Sequence, residues 1–207
     1  MSLFDPIKPL LKVYKSEIQG WWIYPNQNRM LIEAILIQQT TSTNVAKAIK
    51  NLNKLGVLDQ PYQDTWSRML NMSEDNIEKA IYPSGFFRIK TQRLLNFAKW
   101  IKSYNFDFNS IQKLGLPQLR KELNNIKGIG PETADVMILY AFNYPVFITD
   151  NYCLQYYKKM GLIESKATYK SAQKIFESQP DMTKNYKVAQ HWHAAIDEHG
   201  KNPDKLH

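Results

Sequence analysis

Apolar residues along this chain recur three and four positions apart, and no stretch alternates convincingly. Such a sequence can bury its hydrophobic surface only as packed helices, so the expected class is all-α, with about ten short helices. Within Arg29 to Leu55, the residues Ile32, Ile35, Leu36 and Ile37 precede a polar break, QQTTSTN. Val45, Ala48, Ile49 and Leu52 then resume the helical spacing until Gly56 stops it. DTWSRMLNM and SEDNIEKAI read as two short helices, with Asp64 and Ser73 as N-caps. IKTQRLLNFAKWIKSY is amphipathic, with Leu94, Phe97, Ala98 and Ile101 on one face. Pro117 and Pro131 each stand in the first turn of a helix, where a missing N–H costs nothing. Asp150 is placed to cap the next helix and Gly161 to end it. Two further helices, TYKSAQKIFESQ and NYKVAQHWHAAIDEHG, complete the set.

Between two of these helices lies KGIGPE, the spacing of a helix-hairpin-helix. Gly128 and Gly130 permit a very tight turn, and their N–H groups with the following helix N-terminus can hold one phosphate. Lys127 adds a positive charge beside them, and Thr133 adds a hydroxyl that can equally turn inward. A bare G-x-G before a helix is more often a structural turn than a phosphate site. The partner is suggested by charge: 27 Lys and Arg against 19 Asp and Glu leave a net +8, suited to a polyanion. Twenty residues beyond Gly130, Asp150 follows one helix and the extended link NYPVFIT. An isolated aspartate there is usually only a cap. A carboxylate at a helix N-terminus is nonetheless favoured in its charged form, which suits it to stabilise positive charge on a sugar.

Four blocks in order carry a resemblance to the helix-hairpin-helix DNA glycosylase superfamily that includes endonuclease III. They are GWWIYPNQNRMLIEAILIQQTTSTNVAKAI, YPSGFFRIKTQRLLNFAKWI, IKGIGPETADVMILYA with FITD, and WHAAIDEHGK, spanning about Gly20 to Lys201. The resemblance implies a two-lobed helical fold with an active-site cleft between lobes, one lobe over residues 30–143 and the other over 1–29 with 144–207. Its GWW and QQTTS start with GPETAD is most similar to the subgroup called 3-methyladenine DNA glycosylase III, which removes alkylated purines.

What the resemblance implies for the residues is specific. Asp150 is the catalytic carboxylate, and Lys127, Gly128, Ile129 and Gly130, with Thr133, form the phosphate anchor. Gln39 fills the gap left by a flipped nucleotide, with Gln38 as the alternative if the turn is shifted by one. One of the pair Trp21 and Trp22 stacks on the extruded base, with Tyr24 behind them, and Glu132 either lines that pocket or serves its own helix N-terminus. Glu132 also stands where strand-cutting members carry a nucleophilic lysine, and a carboxylate cannot form a Schiff base. The expected activity is therefore a monofunctional DNA N-glycosylase of base excision repair. A glycosylase for uracil, mismatches or other lesions and a non-catalytic DNA-binding module are the alternatives.

Cys153 is the only cysteine and the sequence closes on NPDKLH, so the [4Fe–4S] cluster of many members is not expected. A monovalent cation at the hairpin carbonyls is compatible with the resemblance, and no other cofactor or metal is expected. His193 and Asp197 have ligand spacing, but two ligands make no closed site. Tyr156 and Tyr157 read as core, and scattered lysines such as Lys90 and Lys184 as solvated surface. With no signal-peptide pattern and no long apolar run, the expectation is an intracellular, cytoplasmic monomer acting on damaged double-stranded DNA, without membrane attachment.

Overall fold

The longest helix begins at a strained residue. Phe86 sits in the left-handed region at φ 46°, and from Phe87 the chain winds regularly to Ser103. That helix is the spine of one half of the molecule. A computed structural model describes residues 2–22, 24 and 26–206, and among them there are twelve α-helices and no strand. In chain order they are α1 (Ile7–Val13), α2 (Gln27–Leu36), α3 (Ser42–Lys54), α4 (Thr65–Asn71), α5 (Glu74–Ile81) and α6 (Phe87–Ser103). Then come α7 (Phe108–Gln112), α8 (Gly115–Asn125), α9 (Pro131–Tyr140), α10 (Asn151–Lys159), α11 (Tyr169–Glu177) and α12 (Tyr186–Lys201). No helix among the described residues is long and apolar enough to cross a membrane.

The chain divides into two compact units, Tyr24–Met137 and Met1–Ile23 with Ile138–His207. The divisions fall at 23/24 and 137/138, where the sequence reading puts them at 29/30 and 143/144. In the unit Tyr24–Met137, α6 packs against α2, α4 and α5, and α3 packs against α5. Leu94, Phe97, Ala98 and Ile101 of α6 are fully buried, as their spacing predicts. Trp66 meets Phe97 edge-on at 5.0 Å and donates its indole N–H to Asn28 Oδ1 at 2.7 Å, so its one polar atom is satisfied in the core. Ser73 caps α5 as expected. Asp64 precedes α4 but makes no cap bond, because a 3₁₀ turn over Tyr62–Asp64 brings it in with helical angles. Its carboxylate lies 3.6 Å from Arg68 instead.

The other unit is organised around α10, α12 and α1, with α12 packed against both. Phe147 stacks on Phe176 at 4.2 Å and Phe4 on Trp192 at 4.5 Å. Tyr156 and Tyr157 are core residues whose hydroxyls donate to the Pro6 and Leu3 carbonyls at 2.7 and 2.8 Å, pinning the N-terminal segment. The C-terminal end of α12 is tied by Tyr14, whose hydroxyl donates to the Asn202 carbonyl at 2.6 Å. This packing supplies what holds the last helix in place.

Candidate functional site

The local sequence places Asp150 at the N-cap of α10, where its Oδ1 accepts from the Cys153 N–H at 2.8 Å. The cap fixes one carboxylate oxygen and leaves the other to face a partner. That partner is His193 of α12, with Nε2 at 3.6 Å from Oδ2. At this distance the contact is electrostatic rather than a formed hydrogen bond. The other ring nitrogen, Nδ1, lies 2.9 Å from the Tyr140 hydroxyl, which is also 3.2 Å from the Gln190 carbonyl.

Tyr140 has one proton to give, and the arrangement has two solutions. Given to Nδ1, it leaves the proton of a neutral imidazole on Nε2, facing the carboxylate. Given to Gln190, it leaves Nδ1 to donate to the tyrosine oxygen. The Tyr140 hydroxyl itself stays protonated, since burial, with Asp197 and Asp150 adding to it, pushes its pKa well above the ordinary value.

Aromatic rings continue from this pair. Trp21 meets His193 edge-on at 5.4 Å and Trp22 meets Tyr140 edge-on at 5.5 Å, while the two indoles lie 5.0 Å apart. Trp21 is held by an N–H···Oε1 bond to Glu198 at 3.2 Å, and the Lys201 ammonium stands 5.5 Å from its ring. Trp22 sits in the left-handed region at φ 53°, a costly angle for a bulky side chain. Burial pushes the Asp197 carboxyl up, against His193 and its pairing with Lys201. Burial works against the charge on Lys201, yet pairing with Asp197 and Glu198 holds its pKa above the ordinary range. The structure thus gathers Trp21, Trp22 and Asp150 around His193 and Tyr140. Sequence reasoning weighed His193 only as a metal ligand and did not single out Tyr140. The pairing of His193 with Asp150 joins residues 43 positions apart, and no local signal announces it.

The unit Tyr24–Met137 carries the remaining candidates. Tyr24, grouped with the tryptophans by sequence, donates its hydroxyl to Glu33 at 2.8 Å in this unit. In the hairpin only Gly128 takes a left-handed angle, φ 98°, and a side chain there would also meet Arg93 Cγ at 2.3 Å. Gly130 has open space and no positive φ, so its role is to leave room, not to bend. Ile129 corrects the expectation of a run of available N–H groups. Its side chain is buried and its N–H donates to the Ile126 carbonyl at 3.0 Å, so it packs the turn and offers no donor. Lys127 is exposed, and its carbonyl accepts from Asn96 at 3.1 Å. The carbonyls of Ile126 and Gly130 likewise accept one N–H each, so a cation there would share them. Thr133 turns its hydroxyl to Gln38, which donates to it at 3.0 Å. Glu132 is exposed in the first turn of α9, where a negative charge suits the helix N-terminus.

Gln38 and Gln39 separate clearly. Gln38 is tied to Thr133 and accepts from Arg93, whereas Gln39 is exposed at φ 55° in the turn between α2 and α3. Lys90 overturns its reading as surface. It is 1% exposed, with Nζ donating to the Leu36 and Ser84 carbonyls at 2.8 and 2.6 Å. Burial, with repulsion from Arg93, lowers its pKa to about 8. The aliphatic stem of a lysine can cross a core if its ammonium finds carbonyls, a pattern invisible in α6 alone.

Cys153 is wholly buried, its thiol pushed up by burial and by Asp150.

The family model described as HhH-GPD superfamily base excision DNA repair protein matches residues 32–180. A Methanocaldococcus jannaschii protein, provisionally assigned as a DNA repair glycosylase, is 33% identical over 199 residues, 93% of this chain and 87% of the relative. Endonuclease III of Rickettsia felis is 28% identical over 68% of this chain and 59% of its own length. Among solved structures, the 3-methyladenine DNA glycosylase of H. pylori bound to 1,N6-ethenoadenine superposes with TM-score 0.85 at 24% identity, covering 98% of this chain and 99% of the other. A non-covalent endonuclease III–DNA complex gives 0.70 at 19% identity, covering 92% and 81%.

Proposed function

Because the chain belongs to the HhH-GPD superfamily of base excision DNA repair proteins, we propose that it is a monofunctional DNA glycosylase releasing alkylated purines of the 3-methyladenine type. The observation that carries this reading is Asp150, one oxygen fixed by the α10 cap and the other facing His193, beside the rings of Trp21, Trp22 and Tyr140. An alkylated purine is already positively charged. As the C1′–N bond breaks, its electron pair neutralises the base, so departure needs little acid assistance. Positive charge then passes to the sugar, where a fixed carboxylate stabilises it. Water adds its oxygen to C1′ and loses a proton, to Asp150 or to solvent, leaving an abasic site.

Electron-rich indole faces attract a cationic base more than its neutral counterpart, which gives the site a chemical reason to prefer alkylated purines. The likeness to the H. pylori glycosylase supports the same substrate class. In the hairpin, the N–H groups of Gly128 and Gly130, the α9 N-terminus and Lys127 suit a backbone phosphate. Exposed Gln39 is the side chain offered to the gap left by an extruded nucleotide. Glu132 occupies the place of a strand-cutting lysine, which favours hydrolysis without a Schiff base.

The test incubates the protein with methylated duplex DNA and scores abasic sites before and after mild alkali, with borohydride trapping in parallel. Breaks only after alkali, no trapped adduct, and loss of the alkali-dependent breaks with Asp150→Asn are expected. Breaks without alkali, or a trapped adduct, would contradict the monofunctional assignment. Intact methylated bases on DNA that remains bound would exclude the alkylpurine substrate.

A further inference from the structure

Along one edge of α6, at intervals of three, stand Lys90, Arg93 and Asn96, none with an acidic partner among the described ion pairs. Each reaches away from its own helix. Lys90 holds the Leu36 carbonyl, at the end of α2 where no intrahelical donor remains. Arg93 donates to Gln38 in the turn that follows, and its stem fills the space over Gly128 of the hairpin, so closely that a Cβ there would lie 2.3 Å from its Cγ. Asn96 donates to the Lys127 carbonyl at 3.1 Å. Gln38 closes the circuit by donating to Thr133, in the first turn beyond the hairpin, at 3.0 Å. The same edge therefore grips the turn that presents Gln39 and the hairpin that presents Lys127.

We propose that Lys90, Arg93 and Asn96 are positioning residues that lock the Gln39 turn to the hairpin as one rigid element, so that gripping the phosphate backbone sets the register at which Gln39 enters the duplex. This deepens the reading given above and rests on its DNA-binding part alone. The physical case is the mismatch between the two turns and their support. Gln39 holds a left-handed angle that an unsupported glutamine would leave, and Gly128 is shaped around a side chain from another helix. Such geometry persists only when neighbours over-determine it. Here those neighbours are shared by both turns.

The coupling is measurable as a double-mutant cycle on affinity for duplex DNA bearing a tetrahydrofuran abasic analogue, using Gln39→Ala and Lys127→Ala in the full chain. In the wild-type background the combined loss should depart from the product of the single losses by about fivefold, the scale of coupled neighbours. With Arg93→Met the departure should shrink to below about twofold, and Arg93→Lys should restore part of it. If Arg93→Met does not fold, Asn96→Ala, which cuts an exposed bond, serves the same purpose. Ile101→Val, on the buried face of α6, should lower thermal stability and leave the coupling intact. Strict additivity in the wild type, or coupling that survives loss of Arg93, overturns the proposal. So does a wild type that binds the analogue no better than intact duplex. Absent base release with coupling retained would instead sink only the enzymatic reading.

Discussion

Asp150 and His193 face each other across 3.6 Å while the same carboxylate caps α10, so its two oxygens have separate duties, one in the cap and one toward the histidine. The two duties can be separated. Asn caps about as well as Asp, so Asp150→Asn should change unfolding free energy by no more than about 0.5 kcal/mol. Base release should fall about 10²–10³-fold, the usual cost of losing a charge-stabilising group. Denaturant melts and single-turnover assays on one preparation check both. A large stability loss would mean that the cap, and not the charge, explains any inactivity.

The two hairpin glycines should behave differently. Gly128→Ala forces a side chain into Arg93 at a left-handed angle and should cost about 1–3 kcal/mol with loss of DNA binding. Gly130→Ala meets no atom and no forbidden angle, so it should keep its melting temperature. Its DNA affinity should still drop, because the methyl stands on the surface proposed for the phosphate. Thermal melts with fluorescence anisotropy on a short duplex distinguish the pair.

A parallel contrast separates the adjacent glutamines. Gln38→Ala removes bonds to Arg93 and Thr133 and should cost about 1–2 kcal/mol of stability. Gln39→Ala removes an exposed side chain, so stability should stay within about 0.5 kcal/mol. Preference for an abasic-analogue duplex over an intact one should fall. The reverse pattern would show that Gln38 enters the duplex.

Lys90 predicts a pH signature. Its pKa is lowered from 10.5 to about 8 in the folded chain, by burial first and Arg93 second. Below about pH 8 the amine is charged in both states and the burial penalty is fully present. Between 8 and 10.5 only the unfolded chain holds the proton, so folded stability rises with pH, and above that range the penalty is gone. Relative to Lys90→Met, the wild type should therefore gain about 2–3 kcal/mol from pH 7 to 10.5, each factor of ten in proton affinity being about 1.4 kcal/mol. Urea melts of both proteins across that range provide the check, and a flat difference would show the ammonium to be better solvated than its burial implies.

Local order was written in the chain. The apolar spacing of α6, the caps at Ser73 and Asp150, Pro131 opening α9 and Gly161 ending α10 all depend on residues within a few positions of one another, where periodicity and backbone preference act directly. The four motif blocks likewise made the glycosylase family and the candidacy of Asp150, the hairpin and the tryptophan pair legible. Tertiary structure decided the rest. It placed His193 against Asp150 and buried Lys90 under Leu36, 54 residues away. By tying Gln38 to Thr133, 95 residues on, it left Gln39 as the exposed partner, and it consumed the Ile129 N–H inside its own turn. A lysine on α6 looks solvated to any local rule, because only packing brings it carbonyls to replace water. Distant contacts choose which polar groups are satisfied, and the groups left over form the candidate site.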